Sequence, residues 1–223
     1  MTCISQHTSI FKGLTDKELY NLNLNSTLLS FKRGETVYHQ GTKLKGIYCV
    51  QQGIVKFLKR GADGREQIIR FARTGDIMGF RSAIVNETAC TTTKVIEESV
   101  VCFLPSQELF KLIKENGEFA LSLLKIACNE LGEANDHVTD IAQKTVKTRL
   151  AEALLDLKKN FQLDEDNFLK VNLTREELAG IVGTATESVI RHLSELKAEH
   201  IIEVNGRRIR LKDIDKLKKM ASL

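Results

Sequence analysis

Short runs of alternating apolar and polar residues fill the first half of the chain. The runs ETVYHQ, GIYCVQ, GIVKFLK, EQIIRFA, TKVIEE and VVCFLP follow one another, and eight of the fourteen glycines lie between Gly34 and Gly79. This spacing predicts strands joined by turns. Asp63-Gly64 predicts a tight hairpin turn, because glycine adopts a positive φ without steric cost. We expect an antiparallel roll or barrel over roughly residues 25 to 105.

Helical patterns flank the predicted barrel. Thr15 with Glu18 is a capping-box pattern ahead of it, and Pro105, the only proline, stands in the first turn of a long helical pattern after it. Within that pattern, apolar residues recur in steps of four and three, which is a heptad seam. The seam comprises Ala120, Leu124, Ala127, Leu131, Ala134, Val138 and Ile141. We expect this helix to pack against its twin in a homodimer; the alternative is an intramolecular core helix.

The stretch ELAGIVGTATESVIRHL contains two helical patterns that are broken at a glycine. Thr174 with Glu177 and Thr184 with Glu187 are capping-box patterns, which predict the starts of two short helices. Gly183 predicts the end of the first helix, since glycine readily adopts the left-handed conformation. Two short helices around a tight turn are typical of a helix-turn-helix.

The second of these helices carries polar side chains at its amino end that suit base edges. The predicted base-reading residues are Thr186, Glu187, Ser188 and Arg191. Two alternatives remain open at this point. Glu187 could serve only as the capping partner of Thr184, and Arg191 could be a solvated residue paired with Glu187 or Glu195.

A basic hairpin follows the two helices. IIEV and RRIRL flank Asn205-Gly206, which predicts a turn and makes the unit a winged helix. From residue 207 to the end there are seven Lys or Arg against two Asp, a local excess that the whole-chain charge of +4 conceals. We expect this excess to neutralise phosphates. A charged strand edge that only blocks aggregation is the alternative.

Composition narrows the classes of protein that fit. The 223 residues are 42% hydrophobic, which allows a sizeable core and two domains. We expect a cytosolic protein that does not enter a membrane, because no apolar stretch is long enough to span one and the start lacks a secretory signal. Five scattered cysteines without a CxxC pair predict reduced, mostly buried thiols and no zinc site. No nucleophile-base pair, metal-ligand spacing or phosphate loop supports an enzyme.

The order of predicted barrel, long helix and winged helix resembles the Crp/Fnr family of bacterial transcription regulators. TREELAGIVGTATESVIRHLSEL and the wing VNGRRIRL carry most of the likeness, which extends over nearly the whole chain. The resemblance implies an α+β fold with a cyclic-nucleotide-binding-like jelly-roll sensor barrel over residues 1–112. A dimerisation helix over residues 113–143 and a winged helix-turn-helix DNA-binding domain over residues 144–223 complete the implied organisation.

The resemblance also assigns roles by position. Glu187 and Arg191 match the family's base-reading residues, with Thr186 and Ser188 at neighbouring contact positions. Thr186 departs from the arginine of the cyclic-AMP-responsive members, so the preferred base sequence is open. Arg175 and Arg207 match phosphate-side positions. Together with the basic wing, the predicted phosphate contacts are Arg175, Thr184, Arg207, Arg208 and Arg210.

The stretch GDIMGFRSAIVNETACTTT corresponds to the phosphate-binding segment of the members that bind cyclic AMP. Phe80 stands in place of the ribose-binding glutamate, Cys90 replaces the phosphate-neutralising arginine, and Arg81 is the nearby substitute cation. We do not expect cyclic AMP to bind, because a buried phosphate without a partner charge is costly. The predicted effector pocket comprises Gly79, Phe80, Arg81, Ser82, Cys90 and Thr91.

Two further cofactors are disfavoured. An iron-sulfur cluster needs several amino-terminal cysteines, and only Cys3 lies near that end. Haem has possible axial ligands in His7, His39 and Cys49, yet a lone histidine is more often structural. We therefore assign no metal and leave the effector unidentified.

These observations predict a homodimeric regulator that binds an inverted-repeat operator in double-stranded DNA and responds to an unidentified effector in its barrel. The resemblance adds RNA polymerase as a possible partner and implies no enzymatic activity. The alternative is a metabolite-sensing module whose C-terminal domain docks a protein.

Overall fold

The computed structural model describes residues 3–4, 9–62, 64 and 66–221. The chain divides into two compact units, residues 1–132 and 133–223. Helix α4 (Gly117–Gln143) crosses the boundary between them. Among the described residues, no helix is both long and apolar enough to cross a membrane.

The first unit is built around a six-stranded antiparallel sheet. Its strands are β1 (Thr27–Phe31), β2 (Thr36–Tyr38), β3 (Gly46–Arg60), β4 (Glu66–Arg73), β5 (Ile77–Met78) and β6 (Thr92–Pro105). The order is β1-β6-β3-β4, with β2 paired to β6 and β5 paired to β3. The register between β3 and β6 shifts three times from Val50 to Val55. Such bulges bend strands, which lets these two long strands curve around a core as the predicted roll requires.

The hairpin between β3 and β4 is wider than predicted. β3 ends at Arg60 and β4 begins at Glu66, so five residues separate the strands instead of a two-residue turn. Gly64 has a φ of 83°, as expected for a turn glycine. Its predicted partner Asp63 lies outside the described residues.

In the described part of the first unit, a 3₁₀ helix (Ser9–Phe11) and four α-helices accompany the sheet: α1 (Asp16–Leu24), α2 (Phe80–Ile84), α3 (Ser106–Glu115) and the amino-terminal part of α4. The capping box at α1 is confirmed, because the Glu18 amide donates to Thr15 Oγ1 at 3.3 Å and the Thr15 amide donates to Glu18 Oε2 at 2.7 Å. The single helix predicted after Pro105 is in fact two. Asn116 is extended, and its side chain accepts a hydrogen bond from the Phe119 amide at 2.9 Å. Pro105 ends β6 and precedes α3 as its N-cap.

Two apolar clusters form the core of this unit. One lies where the helices cover the sheet and includes Phe11 stacked on Phe119, with ring centroids 5.8 Å apart. The other includes Val55, Phe57 and Tyr38 from the sheet itself.

The prediction of reduced cysteines is wrong for one pair. Cys3 and Cys102 form a disulfide, with their Cα atoms 5.5 Å apart. That separation lies within the range that a disulfide spans. Cys49 is a buried thiol as predicted, whereas Cys90 is half-buried and Cys128 is exposed. The pairing could not be read from spacing, because folding brings together residues that are 99 positions apart.

The second unit is a winged helix, as predicted. After the end of α4 come α5 (Val146–Phe161), α6 (Arg175–Val182), α7 (Thr186–Ala198), β7 (Ile202–Asn205), β8 (Arg208–Leu211) and α8 (Ile214–Met220). Leu150, Leu178 and Leu196 are buried at its centre. The wing turn is shifted by one residue from the prediction. Asn205 pairs with Arg208, so the loop residues are Gly206 and Arg207.

Candidate nucleic-acid interface

The turn between α6 and α7 is set by local backbone chemistry. The capping box at α6 is confirmed: the Glu177 amide donates to Thr174 Oγ1 at 3.0 Å, and the Thr174 amide donates to Glu177 Oε2 at 2.7 Å. Gly183 ends the helix with a φ of 68°, as predicted. Because this conformation favours glycine, it fixes where the chain changes direction.

The capping box predicted at Thr184 is absent. The N-cap of α7 is Ala185, which makes no side-chain cap, and the helix begins at Thr186. The Thr184 amide donates to Ala179 O at 3.1 Å, so this residue completes the end of α6 and does not open α7. Glu187 therefore has no capping role and remains exposed.

The outward face of α7 carries the predicted base-reading residues. Val189 and Leu193 are buried on the opposite face. Arg191 has a side chain that is 67% exposed, and its nearest carboxylate oxygen, in Glu195, is 4.0 Å away. An exposed pair at that distance contributes little, so the guanidinium is available to a ligand. Thr186 and Ser188 are partly exposed.

Ile190 lies on the same face and is not among the predicted contacts. It is 47% exposed and stands between the buried Val189 and the exposed Arg191. In the sequence, the only signal for this contact is that Ile190 does not belong to the inward-facing series Val189, Leu193 and Leu196. An apolar side chain here can contact the C5-methyl group of thymine, which lies in the major groove.

The wing arginines fall into two groups. Arg207 is exposed in the turn. Arg208 donates to Asp164 Oδ2 at 2.7 Å and lies 4.2 Å from the centroid of the Phe168 ring. Arg210 donates to Asp166 O at 2.6 Å and lies 4.7 Å from the same ring. Arg208 and Arg210 are therefore held against the connection between α5 and α6.

Ion pairs reduce the basic excess that the sequence shows. Lys212 contacts Glu203 at 3.3 Å and Lys216 contacts Glu199 at 3.6 Å. The hydrogen bond from Lys212 holds the pKa of Glu203 below its usual range. In the basic tail, which runs from residue 207 to the end, the described cations without an ion pair are Arg207, Lys218 and Lys219.

Arg175 connects α6 to the wing. Its Nη2 donates to Gly206 O at 2.6 Å. Its Nη1 is buried and has no hydrogen-bond partner among the described residues. Burial lowers the pKa of this guanidinium from its ordinary value. A buried cationic N–H without an acceptor is costly, so an anion close to the wing would be favoured here.

Most of the predicted seam on α4 is exposed in a single chain. Leu124, Leu131, Val138 and Ile141 are 58%, 63%, 68% and 41% exposed. Ala134 is exposed, and Ala120 and Ala127 are partly exposed. Phe119 and Leu123 are the buried side chains of this helix. Ala127 packs against the apolar cluster of the first unit, whereas the exposed seam residues are uncovered, so packing of the seam against a twin stays a prediction.

The six residues of the predicted effector pocket differ in their local surroundings. Gly79 is the left-handed N-cap of α2, where a Cβ would lie 2.7 Å from Leu44 Cδ1. Phe80 is buried in the apolar cluster beneath the helices, and Arg81 is exposed. Ser82 is buried on the same short helix. No hydrogen bond among the described residues joins any of the six to another.

Cys90, Thr91 and the cation Arg70 lie near Tyr38, whose ring is 5.4 Å from that of Tyr48, a neighbour of Gly79. Burial raises the pKa of the Tyr38 phenol to about 12, while the Thr93 hydroxyl, Arg70 and Thr91 partly offset it. The Arg70 guanidinium lies 4.0 Å from the centroid of the Phe57 ring. It also pairs with Glu130 of α4 at 2.8 Å. The pairing of β4 with β3 places Arg70 beside Phe57 and near Tyr38. Sequence spacing does not reveal this pairing.

The possible haem ligands have different surroundings. His39 lines a cleft of about 590 Å³ together with Arg60 and Lys94. Cys49 is buried opposite Cys102 in the sheet, and burial raises its pKa to about 12. His7 lies outside the described residues.

Both halves of the chain match known domain families. Residues 28–116 match the cyclic nucleotide-binding domain, and residues 148–220 match the Crp-like helix-turn-helix domain. The chain is 26% identical over 220 residues to the CRP-like cAMP-activated global transcriptional regulator of Mycobacterium tuberculosis, covering 98% of each. The chain belongs to the Crp/Fnr family.

Other Crp/Fnr proteins show the same relationship. Identity to the fumarate and nitrate reduction regulatory protein of Escherichia coli is 24% over 211 residues, which is 93% of this chain and 84% of that protein. The solved structure of a CRP/FNR-family transcriptional regulator from Thermus thermophilus has a TM-score of 0.74 at 25% identity, covering 88% of this chain and 99% of that chain. The predicted fold class is thus confirmed. The match to a cyclic nucleotide-binding domain describes its fold and leaves its ligand open.

Proposed function

We propose that this Crp/Fnr protein is a homodimeric transcription regulator that reads an inverted-repeat operator through the amino-terminal face of α7. The observation that carries the proposal is the exposed row Glu187, Ile190 and Arg191 on that helix. These side chains offer an acceptor, an apolar surface and a bidentate donor, which is the chemistry that distinguishes base pairs in the major groove.

Phosphate contacts position that face on the duplex. Arg207 is exposed in the wing turn and can donate to a phosphate oxygen, while the charge of Arg175, whose Nη2 donates to Gly206 O, favours a phosphate beside the wing. Arg208 and Arg210 lie against Phe168, and ion pairs with Asp164 and with Asp166 and Glu203 partly neutralise their charge in the free protein. Thr184 adds a hydroxyl at the turn. We keep all five residues as proposed phosphate-side contacts; of the three wing arginines, Arg207 is the one without an ion pair among the described residues.

The exposed α4 seam is the proposed dimer interface. Pairing two such helices buries Leu131 and Val138 of each protomer and relates the two α7 helices by a two-fold axis. Two recognition helices in successive major grooves lie about 34 Å apart, and their two-fold relation calls for an inverted repeat.

An effector in the barrel is the proposed control. Arg70 is the cation near Tyr38 and Thr91, and its ion pair with Glu130 joins that region to α4. An effector whose binding changes the ion pair between Arg70 and Glu130 would favour a different arrangement of the seam helix. Phe80 and Cys90 offer no charge to a cyclic nucleotide, so the proposed effector is not cyclic AMP.

The test begins with selection of an operator from random DNA by the full-length protein. Arg191→Ala should weaken operator binding by about 1–3 kcal/mol and blur the preference at one base pair. Arg207→Ala should weaken all sequences alike and reduce the salt slope by about 1. Lys114→Ala, which removes an exposed cation of the first unit, is the control and should change neither.

Two outcomes would contradict the proposal. Equal losses on operator and random DNA for Arg191→Ala would remove its base-reading role. Selection that enriches no sequence, with no steep dependence on salt, would favour the alternative in which the C-terminal domain docks a protein.

A further inference from the structure

One side chain joins the end of α4 to the turn of the helix-turn-helix. Arg149, in the first turn of α5, donates from Nε to Val182 O at 2.9 Å and from Nη2 to Gly183 O at 3.3 Å. Its Nη1 donates to Lys144 O at 2.7 Å and to Ile141 O at 3.3 Å. The guanidinium thus contacts four backbone carbonyls in two separate segments.

These carbonyls share a chemical property. The last carbonyls of a helix lack intrahelical partners and carry the negative end of the helix dipole. Ile141 and Lys144 lie at the end of α4, while Val182 and Gly183 lie at the end of α6. A cation between two such ends stabilises both at once.

The geometry of the guanidinium makes this contact directional. Its five N–H groups lie in one plane and point in fixed directions, so all four carbonyls must keep their relative positions. Rotation of α6 against the end of α4 would break at least two of the bonds. A lysine ammonium at the same position has no such fork.

A second link fixes the connection between α4 and α5. The Lys144 ammonium contacts Asp140 at 2.8 Å and Glu152 at 2.6 Å. Hydrogen bonds to Asp140 and then to Glu152 raise the pKa of Lys144, which keeps this link charged. Lys144, whose carbonyl accepts a hydrogen bond from Arg149, is therefore itself bound to both α4 and α5.

We infer that Arg149 is a positioning residue that couples the end of the seam helix to the helix-turn-helix, and so sets the half-site spacing that the dimer accepts. This inference rests on the proposed function. Arg149 does not touch DNA in this scheme; it acts by holding Val182 and Gly183, which precede the recognition helix.

The main experiment compares full-length variants on the selected inverted repeat, on versions with one or two base pairs added or removed at the centre, and on a single half-site. The wild-type protein should lose about tenfold or more in affinity for each added base pair, because both half-sites must engage at once. Arg149→Gln should bind the best spacing about tenfold more weakly and vary by only about threefold across the series. Its half-site affinity should stay within about twofold of wild type.

Two variants complete the comparison. Arg149→Lys keeps the charge without the fork and should flatten the spacing series as Arg149→Gln does. Lys147→Ala is the matched control, because Lys147 lies on the same helix but pairs with Glu199 at 2.8 Å. Its spacing series should match wild type.

If the affinity of Arg149→Gln depended on half-site spacing as steeply as that of the wild-type protein, the inference would be overturned. A parallel loss on half-sites and on every inverted repeat would also overturn it, since Arg149 would then only support the fold. Hydrogen exchange without DNA gives an independent readout: segments 140–145 and 181–186 should both lose protection in Arg149→Gln, and a change in only one would refute the link. If wild-type protein selects no DNA, the proposed function fails while this exchange measurement still decides the role of Arg149.

Discussion

Ile190 allows base reading to be tested without changing any charge. It is 47% exposed on the outward face of α7. Complete burial of an isoleucine side chain contributes about 1.5–3 kcal/mol, so covering the exposed half in the groove contributes about 0.7–1.4 kcal/mol. That free energy corresponds to about three- to tenfold in affinity. The apolar group in the major groove that can supply this contact is the thymine C5-methyl.

The assay is a double-mutant cycle on the selected operator. Each thymine is replaced in turn by uracil, which removes only the methyl group, and the dissociation constant is measured by fluorescence anisotropy. One replacement should weaken wild-type binding by about three- to tenfold and leave Ile190→Ala unaffected. Ile69→Ala is the matched control, because Ile69 is 46% exposed on the barrel. If the losses in affinity from Ile190→Ala and from uracil were additive at each thymine tested, the contact between Ile190 and a thymine methyl would be refuted.

Two further predictions concern the first unit and the seam. Leu131→Asp should convert the dimer to a monomer in sedimentation, whereas Tyr20→Asp, at a 65% exposed position on α1, should not; an unchanged mass for Leu131→Asp would argue against the seam. Cyclic AMP should leave the melting temperature unaltered, because Phe80 is buried among apolar side chains and Cys90 carries no positive charge. A clear rise with ligand concentration would show that the pocket binds it by another route.

Local patterns predicted local structure well, with instructive exceptions. Thr15 with Glu18 and Thr174 with Glu177 form their capping boxes, since each box needs only four consecutive residues. The same pattern at Thr184 forms no capping box, because the Thr184 amide donates to Ala179 O at the end of α6 and is not available to Glu187. The wing turn shifts by one residue because Asn205 is drawn into strand pairing.

Features that depend on distant residues could not be predicted from spacing. Arg70 comes near Tyr38 through the pairing of β4 with β3, which sequence spacing does not reveal, whereas Arg81 is exposed on α2 and its role stays a prediction. Arg149 has only backbone partners, which leave no side-chain pattern to find. The basic excess of the tail is reduced by carboxylates such as Asp164 and Glu203, which precede it in sequence.

The disulfide between Cys3 and Cys102 closes the sheet-bearing part of the chain into a covalent ring. Strands β1 to β5 and all of their connecting loops lie inside that ring. A protease cut in any one of those loops leaves the two fragments joined through sulfur until a reductant separates them. The recognition helix and the wing lie outside the ring, so a cut after residue 102 has no such safeguard.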